Sequence, residues 1–516
     1  MVAVAIRGNK ASQPRSVRSR SRWADFLDLT IDFESDTPLL QQVYLLLRGA
    51  ILSHALVPGS RLPSTRQLAD RLGVSRTSVL SAYDQLLAEG YVEGRTGSGT
   101  YVSHDVPQPV VAPAISNKPR AKAAPRRLSQ AGMRFREIAR QLNAPEEIPF
   151  SPGCCSVDAI TIEAWRRIGS AQLKTLNAVN LHYADPVGEL SLRIEVAQYL
   201  RAARAVRCEP EQVIIVSGAQ QALDLSLRAL LDPGDAVWVE DPGYLGARAA
   251  LDALGAQLIS VPVDDSGIMV SAGIAAEPRA RAAYVTPSHQ YPTGAILSMR
   301  RRLELLAWAR AHGAWIIEDD YDSEFRYVGR PLASLQGIDN DSRVIYVGTL
   351  SKMLFPGIRI GFAVVPRDLV DVFTAAKFVT DRQTPTLQQV MVADFMKQGY
   401  LTGHIRRMRQ RYREARDVVV KAITRHMGDL VDIEVPECGI QLVVHFKQKI
   451  SQKISDVEVA RQARLRGIVV KPVSPLYLNV PPRQGLLIGY SGFDLHELRA
   501  ASGRLAKVVR ASIKGA

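Results

Sequence analysis

A chain of 516 residues has room for more than one domain and a large buried core, and 47% apolar against 22% charged residues is an ordinary globular balance. No apolar run approaches the roughly 20 residues a membrane helix needs, no secretion signal is visible, and Cys154, Cys155, Cys208 and Cys438 lack metal-ligand spacing, so the reading is a cytoplasmic protein with reduced thiols and no metal site. The net charge is +14, and residues 1–147 hold half of it, with 20 Lys and Arg against 13 Asp and Glu, a bias that suits nucleic acid and equally a solvated tail.

Residues 1–36 are polar, basic and without clear period, and read as a basic disordered arm. Order is predicted from Thr37. From Pro38 to Leu47 the apolar residues fall at helical spacing, with Pro38 near the first turn. After the Pro58-Gly59 turn, Ser64 to Leu72 reads as a short helix, capped by Ser64 with Gln67 three residues later, and Gly73 breaks it. Ser75 caps a second helix, Arg76 to Leu87, which Gly90 ends. Two short helices joined by a Gly-containing turn make a helix-turn-helix. Arg76, Thr77 and Ser78 open the second helix, where side chains reach base edges and phosphates. Tyr91 to Val102 reads as two short strands around a Gly-rich turn. A small helical packing module with plain hairpin glycines is the alternative.

This 37–103 domain resembles the winged helix-turn-helix of GntR-type transcription factors. The matching residues are Leu62-Pro63-Ser64-x-Arg66, Gly73-Val74-Ser75-Arg76-Thr77, Leu86-x-x-Glu89-Gly90 and Gly97-Ser98-Gly99-Thr100. The resemblance implies contacts to double-stranded DNA by Arg66, Arg76, Thr77, Ser78 and the wing turn of Gly97, Ser98 and Gly99.

Residues 104–147 change composition. Pro107, Pro109, Pro113, Pro119, Pro125 and Pro145 interrupt an Ala/Val/Lys/Arg stretch, which reads as a linker with a short helix over Arg134 to Leu142. From 148 onward strands alternate with helices, so a mainly parallel sheet is expected, with its site at the strands' carboxyl ends. Val213 to Val216 leads through Ser217-Gly218 into a helix beginning at Ala219-Gln220, an anion site by its unpaired amides. Ala236 to Asp241 ends near Tyr244, placed either to stack on a flat ring or in the core. Ala283 to Thr286 runs on to His289-Gln290-Tyr291-Pro292-Thr293-Gly294, and Ala314 to Ile317 ends in Glu318, Asp319, Asp320, Tyr321 and Asp322. Crowded carboxylates repel one another, and a bound cation, organic or metallic, would relieve them. Finally, Val344 to Val347 ends in Gly348, Thr349 and Ser351, followed by Lys352, Pro356-Gly357 and Arg359. An amine where a buried strand stops is either a solvated charge or a nucleophile for a carbonyl, and the nearby hydroxyls and guanidinium suit a phosphate.

The pattern Ser351-Lys352-x-x-x-Pro356-Gly357-x-Arg359-x-Gly361 resembles the cofactor-lysine motif of fold-type I pyridoxal phosphate (PLP) enzymes, the class I aminotransferases. Residues 148–516 resemble that fold, with a mainly parallel large domain and a smaller C-terminal α+β domain. As a whole the chain resembles the MocR/GabR subfamily of GntR-type regulators. This implies that Lys352 forms the internal aldimine, Asp319 pairs with the pyridine nitrogen, Tyr321 lies near the ring oxygen and Tyr244 stacks on the ring. Ala219, Gln220, Thr349, Ser351 and Arg359 surround the phosphate, and Tyr183 reaches toward the phosphate of a partner subunit in a homodimer. Three departures stand out. Tyr291 replaces the usual asparagine, Leu487 stands where the enzymes carry a carboxylate-binding arginine, and Gly246 where γ-aminobutyrate binders carry a second. Arg248 is nearby, available if the loop after Tyr244 bends. Bidentate carboxylate capture is therefore expected to be impaired, leaving PLP itself, an amine with a less polar tail, or an amino acid read through another arginine as effectors. The expected function is a PLP-dependent regulator on paired DNA half-sites. The alternatives are a working aminotransferase with a DNA-binding module and a DNA-binding protein with a cofactor-free second domain.

Overall fold

The computed structural model describes residues 30–95, 97–106, 127–141, 146–329 and 332–514, leaving out the side chains of 141, 179 and 180. Most of the expected arm, and residues 107–126 and 142–145 of the expected linker, lie outside these. The chain divides into two compact units, Met1–Arg126 and Arg127–Ala516.

In the first unit, helix α1 (Leu39–Leu52) follows Pro38, and α2 (Thr65–Leu72) and α3 (Arg76–Ala88) follow their serine caps. At α2 the Ser64 side chain accepts from the Gln67 amide while the Gln67 side chain bonds the Ser64 backbone, so two orphan donors are satisfied together. Gly73 closes α2 in the left-handed conformation at φ +68°, where a glycine carries no Cβ penalty. Val43, Leu47, Ile51, Leu68, Val79 and Leu86 pack into one core. Strands β1 (Val92–Arg95) and β2 (Gly99–Val102) form an antiparallel hairpin, with Val92 opposite Val102. A helix-turn-helix with a wing is the result.

In the second unit a helix covers Gln130–Gln141, starting four residues before the expected one, and packs on the helix Leu245–Leu254. The large sheet comprises β3 (Val213–Val216), β4 (Ala236–Asp241), β5 (Gln257–Asp264), β6 (Gly267–Ile268), β7 (Ala282–Val285), β8 (Trp315–Asp320), β9 (Val344–Thr349) and β10 (Gly361–Val364). Its order is β3-β10-β9-β8-β7-β4-β5-β6. From β9 to β5 the pairs are parallel; β10 runs antiparallel between β3 and β9, and β6 antiparallel at the edge. The strands are apolar on both faces because helices cover both. Ile215, Tyr346 and Phe362 face one layer of helices, while Ile214, Ile345 and Ala363 face the other. The smaller sheet, β11 (Val431–Ile433), β12 (Gln441–Phe446), β13 (Lys471–Pro472) and β14 (Gly485–Gly489), is antiparallel in the order β11-β12-β14-β13. Its core, with Leu442, Val444, Leu486 and Ile488, packs on the long helices Tyr400–Met427 and Leu495–Lys514 through Val419, Ile423, Leu498 and Leu505. This is the two-part α/β architecture the sequence led us to expect. Among the described residues no helix is long and apolar enough to cross a membrane.

Candidate functional site

Parallel strands end at a common edge, and β10, running the other way, begins there. That edge borders a cavity of about 340 Å³. Ala219, Gln220, Tyr244, Tyr291, Asp319, Tyr321, Thr349, Ser351, Lys352 and Arg359 all line it, so every expected cofactor residue of this chain except Tyr183 converges there. Tyr183 lies elsewhere, 76% exposed, with the Arg382 guanidinium 4.0 Å above its ring.

One end of the cavity is built for an anion. Gly218 (φ +100°) precedes the helix Ala219–Leu230, and a Cβ there would stand 3.2 Å from the Arg359 guanidinium. Arg359, itself left-handed at φ +49°, donates to the Ser217 carbonyl at 2.7 Å. Thr349 Oγ1 accepts from the Ser351 amide at 3.1 Å. The Ser351 hydroxyl is buried without a partner. An orphaned buried hydroxyl beside helix N-terminal amides and an arginine is the donor set a phosphate requires.

The other end is built for a cation. Tyr284 donates to Asp319 Oδ2 at 2.7 Å, while Oδ1 is buried with no partner. Burial pushes the Asp319 carboxyl up to about 6, with Asp320 and Asp322 adding to the rise and the Tyr284 bond opposing it. A pyridinium N–H would satisfy that open oxygen. The acids are close enough to repel, as the sequence suggested, but the others have partners of their own. Asp320 accepts from Arg204 (2.7 Å) and Tyr346 (2.6 Å), Glu318 accepts from the Leu335 and Gln336 amides (both 2.8 Å), and Asp322 lies 2.8 Å from His289 Nδ1. Only Asp319 lines the cavity.

Between the two ends, Lys352 sits on the single turn Leu350–Met353 and donates from Nζ to the Gly153 carbonyl at 3.0 Å. Besides Tyr284, three aromatics wall the space. Tyr291 stands edge-on to Tyr244 (5.7 Å, 80°) and to Tyr321 (6.2 Å, 79°). Burial raises the Tyr244 hydroxyl to about 12 and holds Tyr321 well above the usual tyrosine range, so both remain donors. The Tyr321 hydroxyl lies 3.1 Å from His289 Nδ1. Orphan oxygens at both ends, a lysine between and aromatic walls fit PLP.

Three findings concern carboxylate capture. Leu487 is fully buried and packs with Tyr291, Val443, Val473 and Tyr477. At Gly246 a Cβ would stand 2.5 Å from the Tyr244 ring, so this position cannot take an arginine without displacing the ring. The expectation that Arg248 can bend into the site is overturned. The helix Leu245–Leu254 begins directly after Tyr244, and Arg248, one turn in, is buried against the Glu240 carbonyl (3.3 Å) and Asp241 (3.6 Å). Reading single motifs also missed Tyr284, the Gly153 carbonyl and Lys471, which line the same cavity. For Lys471 the signal was a lone charge inside Ile468-Val469-Val470-Lys471-Pro472.

In the first unit, Arg66, Arg76, Thr77, Gly97, Ser98 and Gly99 are exposed. Ser78 is half-buried, its hydroxyl 2.8 Å from that of Ser75 and its amide donating to Ser75 Oγ at 3.0 Å, which places it in the cap of α3. Arg76 Nε donates weakly to Thr65 Oγ1 at 3.4 Å, tying the tip of α3 to the start of α2.

Comparison with known proteins agrees with both halves. Residues 39–102 match the model of bacterial regulatory proteins of the gntR family, and residues 147–502 match aminotransferase class I and II. The chain is 41% identical to the probable rhizopine catabolism regulatory protein MocR of Rhizobium meliloti, over 91% of this chain and 94% of that one. It is 32% identical to the pyridoxine biosynthesis transcriptional regulator PdxR of Corynebacterium glutamicum, over 94% and 98%. Among solved structures, the α-aminoadipate aminotransferase LysN of Thermus thermophilus, complexed with N-(5'-phosphopyridoxyl)-L-leucine, superposes with a TM-score of 0.68 at 26% identity, over 75% of this chain and 98% of that one. The chain therefore belongs to the MocR/GabR type of GntR-family transcriptional regulators, in which a helix-turn-helix is joined to an aminotransferase-like domain of a PLP-dependent family.

Proposed function

We propose that this protein is a PLP-dependent, DNA-binding regulator, acting as a cytoplasmic homodimer, in which an amine effector or PLP itself acts at Lys352 to change the dimer arrangement and so operator binding. The observation that carries this is the pair of orphaned buried oxygens, Asp319 Oδ1 and Ser351 Oγ, in one cavity with Lys352. When bound, PLP supplies a reactive carbonyl and an electron sink.

Asp319 would hold the ring nitrogen, and Tyr244 would cover the ring. Tyr321, kept protonated by burial, would donate to the ring oxygen. The Ala219 and Gln220 amides, Thr349, Ser351 and Arg359 would hold the phosphate. Lys352, released from the Gly153 carbonyl, would make the covalent attachment. Tyr291 would close the ring's other edge. Arg66, Arg76, Thr77 and the wing turn would contact DNA, with Ser78 acting through the cap. An effector can shift the dimer only by its differential affinity for the two arrangements.

Catalytic transamination is the second reading. Leu487 and Gly246 weigh against it, because neither supplies the bidentate partner of a substrate carboxylate. The test is borohydride reduction of the cofactor-loaded protein followed by peptide mapping. The label is expected on Lys352 and absent from Lys352→Ala. Recovery of label from Lys352→Ala would refute the attachment, and sustained turnover with an amino donor and a keto acceptor would favour the enzyme.

A further inference from the structure

A second amine faces the cofactor cavity. Lys471 is half-buried on β13, between Val470 and Pro472, and lines the cavity that holds Lys352. It also lines a second cavity of about 440 Å³, which shares Tyr244 and Tyr291 with the first. Lys471 thus stands where the two spaces meet. The second space is lined by three arginines, and each has an acidic partner: Arg140 with Glu137 at 3.0 Å, Arg461 with Glu458 at 2.7 Å and Arg464 with Glu146 at 2.7 Å. The Lys471 ammonium has no hydrogen bond or ion pair among the described residues. Burial depresses its basicity, and the charge of Lys352 depresses it further, a cost that an anion between them would offset.

Its register is informative. Lys471 is the Cα partner of Leu487 on β14. Directly opposed residues of an antiparallel pair project to the same face of the sheet. That face carries Leu487 against Tyr291, a wall of the cofactor cavity. The cation absent from position 487 is thus offered from the adjacent strand.

We propose that Lys471 is the anion subsite of the effector, which makes the effector an amine bearing one acidic group, the amine directed to Lys352 and the acid to Lys471. This rests on the regulator reading above and specifies its ligand. An ammonium is a point charge without arginine's planar fork, so it selects for charge over the bidentate geometry of a carboxylate. Two ligands with the same amine, one anionic and one neutral, should therefore be well separated by this protein.

The experiment uses the full-length protein loaded with PLP. L-alanine is titrated against L-alaninamide, and γ-aminobutyrate against γ-aminobutyramide, following the cofactor absorbance at equilibrium. In the unaltered protein at least one acid is expected to bind tenfold or more tightly than its amide. Lys471→Gln should abolish that ratio while leaving the cofactor band of the ligand-free protein in place, and Lys471→Arg should keep the ratio. If neither acid outbinds its amide, or if the ratio survives in Lys471→Gln, the subsite is wrong. If Lys471→Gln changes acid and amide affinities equally, Lys471 only tunes Lys352 and the subsite is again wrong. Absence of any cofactor band in the unaltered protein would overturn the regulator reading itself, and this subsite with it.

Discussion

Asp319 keeps one oxygen on Tyr284 and leaves the other buried and open. The folded cofactor-free chain therefore holds the carboxyl proton up to about pH 6, whereas an unfolded aspartate, at its ordinary value of 3.8, releases it earlier. Across that interval the folded state binds more protons, so stability must fall as pH rises from the unfolded value through the folded one. The loss is about 3 kcal/mol in total, from ~1.4 kcal/mol per unit. Asp319→Asn removes the titration. Thermal unfolding of the cofactor-free variant at pH 8 is expected to show a gain of about 1–3 kcal/mol over the parent, together with loss of PLP retention. A variant no more stable than its parent at pH 8 would mean that Oδ1 has a partner after all. Asp319 was legible only through the family resemblance, because the residues alone offered Glu318, Asp319, Asp320 and Asp322 alike at the end of one buried strand. Tyr284 was not, because an apolar strand with one tyrosine reads as core until its neighbour on β8 is known. Arg248 was misplaced for a related reason: its role depended on whether the chain after Tyr244 was loop or helix, which local sequence did not decide.

Elements ended where their chemistry said they should. Ser64, Gly73 and Ser75 bound α2 and α3 as expected, because caps are local and need no tertiary partner. The parallel strands were equally readable from their β-branched runs. The backward insertion of β10 between β3 and β9 was not, since pairing partners distant in sequence leave no periodic trace. At the tip of α3, Arg76 is exposed and only weakly tied to Thr65. If it reads a base edge, Arg76→Ala should cost about 1–3 kcal/mol of operator affinity and relax sequence preference. If it holds only phosphate, affinity should fall uniformly and the slope against salt should drop by about one. Binding isotherms on operator and scrambled duplex at several salt concentrations separate these, and an unchanged operator affinity would exclude both.

At the scale of the whole molecule, one of the expected cofactor residues is displaced from the rest. Tyr183 is exposed, with the Arg382 guanidinium over its ring, while the other expected residues meet in one cavity. As a homodimer the protein would carry this tyrosine to the partner's phosphate. Tyr183→Ala is then expected to weaken PLP retention roughly tenfold with little effect on the unfolding temperature of the cofactor-free chain. Spectroscopic PLP titration alongside sedimentation analysis checks this; undiminished retention in a dimeric Tyr183→Ala variant would place the residue outside the site.

The reversed strand β10 also bears on the order in which the chain assembles. Its contact with β9 joins Gly361 to Thr349, whereas its contact with β3 joins Gly361 to Val216. Closing the second loop costs about 2 kcal/mol more chain entropy than closing the first. Lys352 and Arg359 lie inside the short loop, so the amine and the guanidinium can be brought to one edge by a local hairpin. Gly218, and with it the amides of Ala219 and Gln220, arrives only when β3 docks. The anion end of the cavity is thus built from one piece local in sequence and one distant piece, and chain entropy favours forming the local piece first.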